Sequence, residues 1–373
     1  MSFSGSYAPQ DVTFLLKPVA ATDVGPNAGD LAAKEALIQS GARHYSEMLT
    51  HEVAPDPRYL AIFETALARH ADRMGREVAS LARGLDAAID GPITLASFVR
   101  AGVPLGVLLV RALKALGRDA VHFGISIIRD RGLDMVALDA IRAMRPEAGL
   151  VFVDGWTGKG AITQEMEDDL AARAPGIAPR LVVLADPGGR AWMAAGHDDW
   201  LIPSGILGAN VSGLISRSVL NARVVGPGEY HAAVVTEHLR AVDLSRRFVD
   251  EIHACTLRHL ADAPPARPDP PQRAATRARA EAAIDALAQR HGVRNRNRIK
   301  PGIAEATRAV LRRAPERVML RGGDDPDLAG LIHLAREAGV TLEIAGDALG
   351  PYRAVTLLAH IEGRDDAGAR RAL

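Results

Sequence analysis

The stretch "GLVFVDGWTGKGAIT", residues 149–163, passes from four apolar residues, Leu150 to Val153, through Asp154 into a turn holding Gly155, Gly158 and Gly160. A short run that is apolar throughout suits a strand buried on both faces, as in a parallel sheet. Glycines then permit a tight strand-to-helix turn, where a backbone can approach a ligand closely. Lys159 sits between two of them, and residues 161–173 read as a helix.

The same alternation extends in both directions. The pattern predicts strands at 93–99, 120–128, 150–153 and 180–185, with helices at 104–116, 134–144 and 161–173. Such an order implies an α/β fold with a parallel sheet covered by helices on both faces. Ligands of these sheets bind in the loops beyond the carboxyl ends of the strands. Upstream, 30–50 and 57–88 read as helices, and Tyr59, Ile62, Phe63, Leu67 and Met74 recur at helical spacing towards a core. Residues 234–260 return to long helices.

The segment "ADAPPARPDPPQRAATRARAE", residues 261–281, holds prolines at 264, 265, 268, 270 and 271. Their missing donors and extended preference read as a linker. It divides a domain at 1–260, with a helical N-terminal region, from one at 282–373. In the C-terminal part, helices at 275–290, 302–313 and 326–338 alternate with strands at 317–321 and 340–344 and a last element at 353–359. This reads as a second, small α/β sandwich, with a polar tail after Ile361 that is expected to fray.

A chain of 373 residues suits two or three domains. Its 45 Lys and Arg balance 45 Asp and Glu, so no global field marks a nucleic-acid or membrane binder. Cys255 is the only cysteine, which excludes an intramolecular disulfide framework and a cysteine-rich zinc site. No uncharged apolar run reaches the about 18 residues that span a bilayer. The first residues lack a charged segment followed by an apolar one, so secretion is not expected and the cytoplasm is the expected compartment.

Three strand-to-helix turns could carry chemistry. In "FVRAGVPLGVLLVRAL", Arg100, Ala101 and Gly102 precede a helix N-terminus, whose free N–H groups suit an anion. In "FGISIIRDRGLD", Arg129 and Arg131 flank Asp130. The third is the turn at 154–161. The bland reading of each is a tight connection that needs glycine; together they point to an anion-binding face. The third turn is no nucleotide P-loop, because only Trp156 and Thr157 separate Gly155 from Gly158-Lys159, where four residues are required. No G-x-G-x-x-G spacing occurs there either.

A strand, an acid, a spacer and then Thr-Gly-x-Gly-Ala resembles the phosphoribosyl-diphosphate (PRPP) loop of type I phosphoribosyltransferases. The resemblance implies that Asp154 touches ribose and that Thr157, Gly158, Lys159, Gly160 and Ala161 surround its 5′-phosphate. It further implies that Ala101 and Gly102 bind diphosphate, that Arg100, Arg129 and Arg131 stabilise the leaving group, and that Mg²⁺ arrives with PRPP. Gly155 replaces the family's second acid and Ala161 its last hydroxyl.

Closer wording comes from "SGSYAPQDVTFLLKP", "IQSGARHYSEML", "RAGVPLGVLLVRAL", "ISIIRDRGLD" and "VFVDGWTGKGAI". Together they resemble the bacterial StiP family of tellurite-resistance and stress gene clusters. That family is viewed as phosphoribosyltransferase-like, with a role in nucleotide metabolism, the synthesis of a nucleoside-like metabolite in the stress response, yet it carries the label of cysteine protease. Under that label the nucleophile here has to be Cys255, in "VDEIHACTLRHLA". A papain-type thiol belongs at an exposed helix N-terminus, whereas Cys255 falls inside a helix, where an inert buried residue is the default. His259 at i+4 and His253 are its histidine neighbours in sequence.

Other polar clusters are His44, Tyr45 and Glu47, and the "HDDW" run 197–200. His197, Asp198 and Asp199 carry metal-ligating chemistry, but consecutive side chains point apart, and the run reads as a solvated turn; no protein metal site is expected. The glycine-rich "PSGILGANVSGL", 203–214, could face a site.

The C-terminal "IKPGIAEATRAVLRRAPERVML" resembles Pelota and related ribosomal RNA-binding folds, whose RNA-contacting helix starts Gly-x-Asn-Glu-x-x-Lys. Gly302, Glu305 and Arg308 keep that spacing, while Ala304 stands at the base-reading asparagine. From Arg267 to Lys300, nine basic residues face three acidic ones. Arg296, Arg298 and Lys300 therefore form the expected phosphate-contacting strip, the alternative being a basic, solvated linker.

The combined expectation is a phosphoribosyltransferase-like enzyme, a glycosyltransferase that binds PRPP, a phosphorylated sugar or a nucleotide, fused to an RNA-binding module. The alternatives are a non-catalytic sensor of a nucleotide or PRPP that binds RNA, and a cysteine protease. RNA is an expected partner, a membrane is not, and a homodimer is an open expectation.

Overall fold

The computed structural model describes residues 3–25, 31–49 and 51–360, and every structural statement refers to these. The tail expected to fray lies outside them. The N-terminal unit is built on a six-stranded sheet of β1 (Thr13–Phe14), β2 (Ile93–Phe98), β3 (Ala120–Ile125), β4 (Leu150–Val153), β5 (Leu181–Ala185) and β6 (Met193–Gly196). The order is β1-β3-β2-β4-β5-β6, and every pairing is parallel. Two-fold alternation divides the side chains between two cores: Ile93, Leu95, Val151 and Val153 enter one, and Ala96, Phe98, Leu150 and Phe152 the other. The outer strands β1 and β6 escaped expectation because the first has only two residues and the second, Met193–Gly196, lacks a run of bulky apolar side chains.

Helix α1 (Leu31–Gln39) precedes the 32-residue α2 (Pro57–Ala88), whose Asp56 cap accepts from the amides of Arg58 and Tyr59. The expected helix at 30–50 is therefore shorter, and ends before a 3-10 turn at Tyr45–Glu47. Helix α3 (Val103–Ala115) follows β2, α4 (Met135–Met144) precedes β4, and α5 (Ala161–Arg173) leaves the glycine turn. The expected long helices at 234–260 reduce to a strand at Ala232–Val234, a 3-10 segment at Glu237–Val242 and α6 (Ser245–His259). Helices α2, α3 and α6 cover one face of the sheet, and α4 and α5 the other.

Gly75 lets α2 and α6 cross at close range. A Cβ there would stand 2.5 Å from the Cβ of Cys255. Gly75→Val is expected to cost about 1–3 kcal/mol through overpacking, read as a lower midpoint in urea unfolding; an unchanged midpoint would mean that the two helices do not meet there.

The expected linker at 261–281 is helical over its second half, because α7 runs Pro270–Arg290. Asp269 accepts from the Gln272 amide at 2.9 Å, and proline in the first turn has no intrahelical donor to lose. The C-terminal sheet joins β7 (Ile299–Pro301), β8 (Pro315–Leu320), β9 (Thr341–Ile344) and β10 (Ala354–Leu358) in the order β7-β10-β8-β9. Only β8 and β9 pair in parallel. Helices α8 (Ile303–Arg312) and α9 (Ala329–Glu337) pack with it.

The two units join through buried polar contacts. His70 of α2 lies 2.6 Å from Asp327, and Asp199 accepts from the amides of Ile303 at 3.0 Å and Arg353 at 2.7 Å. The "HDDW" run is thus no solvated turn. Asp199 is buried and holds the second unit, while Asp198 pairs with Arg73 and Arg353. Among the described residues no three His, Cys, Asp or Glu side chains converge as a metal site, and no helix is long and apolar enough to cross a membrane.

Candidate functional site

A cavity of about 950 Å³ opens beyond the carboxyl ends of β2 and β4, closed on its far side by the C-terminal unit. The turn after β2 contributes Arg100 and Ala101, the next loop Arg129, and the glycine turn Asp154, Trp156 and the run 157–161. From the C-terminal unit come Lys300, and Glu305, Arg308 and Arg312 on one face of α8. Nine Lys and Arg and five Asp and Glu line it among the described residues.

Most of these charges have partners. The Arg100 guanidinium is buried, bonded to Glu52 and, at 3.1 Å, to the Ile215 carbonyl. Burial alone would raise the Glu52 carboxyl, but Arg100 and Arg312 outweigh it and hold it down at about 2. Arg129 sits over the Tyr45 ring and pairs with Asp130 at 3.0 Å. Arg308 lies over Trp156 at 4.5 Å, with its buried Nε lacking a hydrogen-bond partner. Glu52, Trp156, Arg217 and Arg312 were missed in the sequence; only the i, i+3, i+7 spacing of Glu305, Arg308 and Arg312 could have signalled one of them.

The glycine turn is stabilised from within. Thr157 donates its hydroxyl to Asp186 beneath the cavity floor, and Lys159 donates to the Arg296 carbonyl at 2.5 Å. Tyr352 donates to the Gly158 carbonyl at 3.3 Å, while Gly160 and Ala161 line the edge. Burial pushes Asp154 up to about 7 and Lys159 down to about 7. Each gains a proton as pH falls through 7, so the cavity becomes more cationic in acid. A carboxyl ¹³C titration of Asp154 is expected to show a midpoint near 7; a midpoint below 5 would mean a well-hydrated carboxylate.

Other expected site residues lie elsewhere. Gly102 caps α3 and does not line the cavity: a Cβ there would sit 2.1 Å from the Val153 carbonyl oxygen, so glycine serves strand-to-helix packing. Arg131 is half exposed outside it, 3.1 Å from Glu47. The expected RNA strip is split, since Arg296 pairs with Asp285 and Arg298 with Glu316 on the outer surface. Lys300, Glu305 and Arg308 face inwards, and Gly302, at φ 89°, packs beside Asp199.

Cys255 stands apart from the cavity. Its side chain meets α2 at Gly75, sixteen residues beyond Tyr59 on the cavity wall, or about 24 Å along the helix. Cys255 is 6% exposed, and its Sγ has the Arg258 Nη2 at 3.2 Å. The same guanidinium reaches Asp72 at 3.3 Å, and His259 Nε2 lies 2.8 Å from that carboxylate.

Comparison with known proteins gives two family matches. Residues 278–360 match the PELOTA RNA binding domain, and residues 5–253 the family described as "Tellurite-like stress resistance cysteine protease StiP". The second match ends two residues before Cys255. A curated relative, "Cysteine protease StiP" of Acinetobacter baylyi, is 47% identical over 366 residues, covering 95% of this chain and 94% of the relative. A multiple substrate aminotransferase from Thermococcus profundus aligns over 93% of this chain and 86% of its own at 11% identity, with a TM-score of 0.22, too low to inform the fold.

These names overturn the expected phosphoribosyltransferase: family and relative are both called cysteine proteases, and neither name points to PRPP. The turn offers physical reasons. Gly155 removes the second acid, Ala161 the last hydroxyl, and the Thr157 hydroxyl is committed to Asp186. With 5–253 matched and a relative of nearly equal extent at 47% identity, the chain belongs to the family of the tellurite-like stress resistance cysteine protease StiP.

Proposed function

We propose that the chain is a cysteine-type peptidase joined to an RNA-binding unit, with Cys255 as its nucleophile. The supporting observation is that the only cysteine in the chain shares a helix seam with an arginine and a carboxylate-held histidine. Arg258 brings a positive charge within 3.2 Å of the sulfur. Residues i and i+4 of a helix share a face, which puts His259 on the side of Cys255, with Asp72 orienting its imidazole.

In the reaction the sulfur adds to the scissile carbonyl carbon, and its proton passes to His259 and on to the departing amine. Water then splits the thioester, freeing the acid and restoring the thiol. Because the thiol is covered by Gly75, the end of α6 has to lift from α2 to admit a peptide. Iodoacetamide is therefore expected to react slowly, and cleavage of a casein substrate to fall in step with alkylation of this single thiol. Activity that survives complete alkylation would remove Cys255 from the chemistry. The match at 278–360 supports the RNA-binding part of the reading.

A further inference from the structure

Four basic residues on the outer surface of the C-terminal unit are held in ion pairs. Arg290 and Arg317 meet Glu343, Arg296 meets Asp285, and Arg298 meets Glu316. A phosphate would have to compete with a carboxylate at each. Inside the cavity the balance differs, with basic residues in excess and two guanidinium nitrogens, Arg308 Nε and Arg217 Nη1, buried without hydrogen-bond partners. The two residues come from opposite units and line the same space.

We infer that the cavity between the two units is the binding site for a single-stranded RNA segment, a placement that rests on the RNA-binding reading. Phosphates would lie between Lys300 and Arg308 of the C-terminal unit and Arg129 and Lys159 of the N-terminal unit. Trp156 and Tyr45, each already under a guanidinium, offer flat faces on which bases can stack. The volume is near the top of the range for small-ligand pockets, roughly 300–1,000 Å³. It therefore accommodates a short strand and excludes a duplex. Exposed Val53 and Leu311 stand among the residues lining it. Planar stacking surfaces favour RNA over an acidic peptide, which needs charge alone.

The test is fluorescence anisotropy of the full chain with a 5′-fluorescein-labelled single-stranded RNA of ten mixed A and U residues, at several salt concentrations. Arg308→Gln and Lys159→Gln, one in each unit, are each expected to weaken binding about tenfold and to flatten the log–log salt dependence by about 0.7. Arg296→Gln is expected to stay within twofold of the parent chain. Circular dichroism confirms folding, and if Arg308→Gln unfolds, Lys159→Gln alone decides. Loss confined to Arg296→Gln would overturn the cavity assignment and leave the RNA reading standing. Absence of RNA binding by the parent chain would overturn both, and cavity-dependent binding of polyglutamate in its place would make the occupant an acidic peptide.

Discussion

Cys255→Ala is expected to abolish peptide hydrolysis, a loss on the order of 10⁴-fold or more, as for removal of a nucleophile in enzymes of this type. The size follows from composition: with no second cysteine, no other thiol can form the acyl-enzyme. His259→Gln is expected to cost roughly 10²–10⁴-fold, the usual share of a general acid–base group, with KM little changed. Arg258→Gln removes the cation 3.2 Å from the sulfur and is expected to lower the rate with the thiol still present. The measurement is steady-state cleavage of a labelled casein substrate across pH, with far-ultraviolet dichroism as the folding control. A folded Cys255→Ala chain that keeps its activity would place catalysis away from the α2–α6 seam. The cavity, about 24 Å away along α2, would then be the place to look.

The second large effect concerns the joint between the units. Asp199→Ala removes the acceptor of two amides, Ile303 at 3.0 Å and Arg353 at 2.7 Å. Each buried N–H left without a partner costs about 1–3 kcal/mol, so a loss of about 2–6 kcal/mol is expected. Hydrogen exchange at Ile303, whose amide loses its acceptor, and along α8 is the direct measure. Burial raises the Asp199 carboxyl to about 6, above its unfolded value. Between about pH 4 and 6 the unfolded chain has released the proton and the folded one has kept it. The stability of the parent chain therefore falls as pH rises through that window and levels off above it. Asp199→Asn is expected to lack this slope. An identical slope in the variant would assign the effect to another group.

Parallel architecture was legible in the sequence because it is written locally. Apolar runs such as Leu150 to Val153 and helical spacing such as Tyr59, Phe63 and Leu67 depend only on near neighbours. The Pro-rich segment at 261–281 misled for the same local reason. Five prolines argue against a helix, yet Pro270 and Pro271 stand in a first turn that tolerates them, with Asp269 as the cap. The glycine turn was found from its spacing, but its chemistry was not, since Asp186, which takes the Thr157 hydroxyl, lies 29 residues away.

What the sequence by itself determined is the order of strands and helices, the StiP family to which the chain belongs, and the uniqueness of Cys255. Only tertiary structure decided which charges share a space. Arg100 and Arg308 stand far apart in the chain, yet both line one cavity, while Arg131 and Arg296, both expected site residues, lie outside it. The reason is physical: helical and strand periodicity report which face of an element is apolar, but a charged side chain is indifferent to that pattern until a distant element supplies its partner.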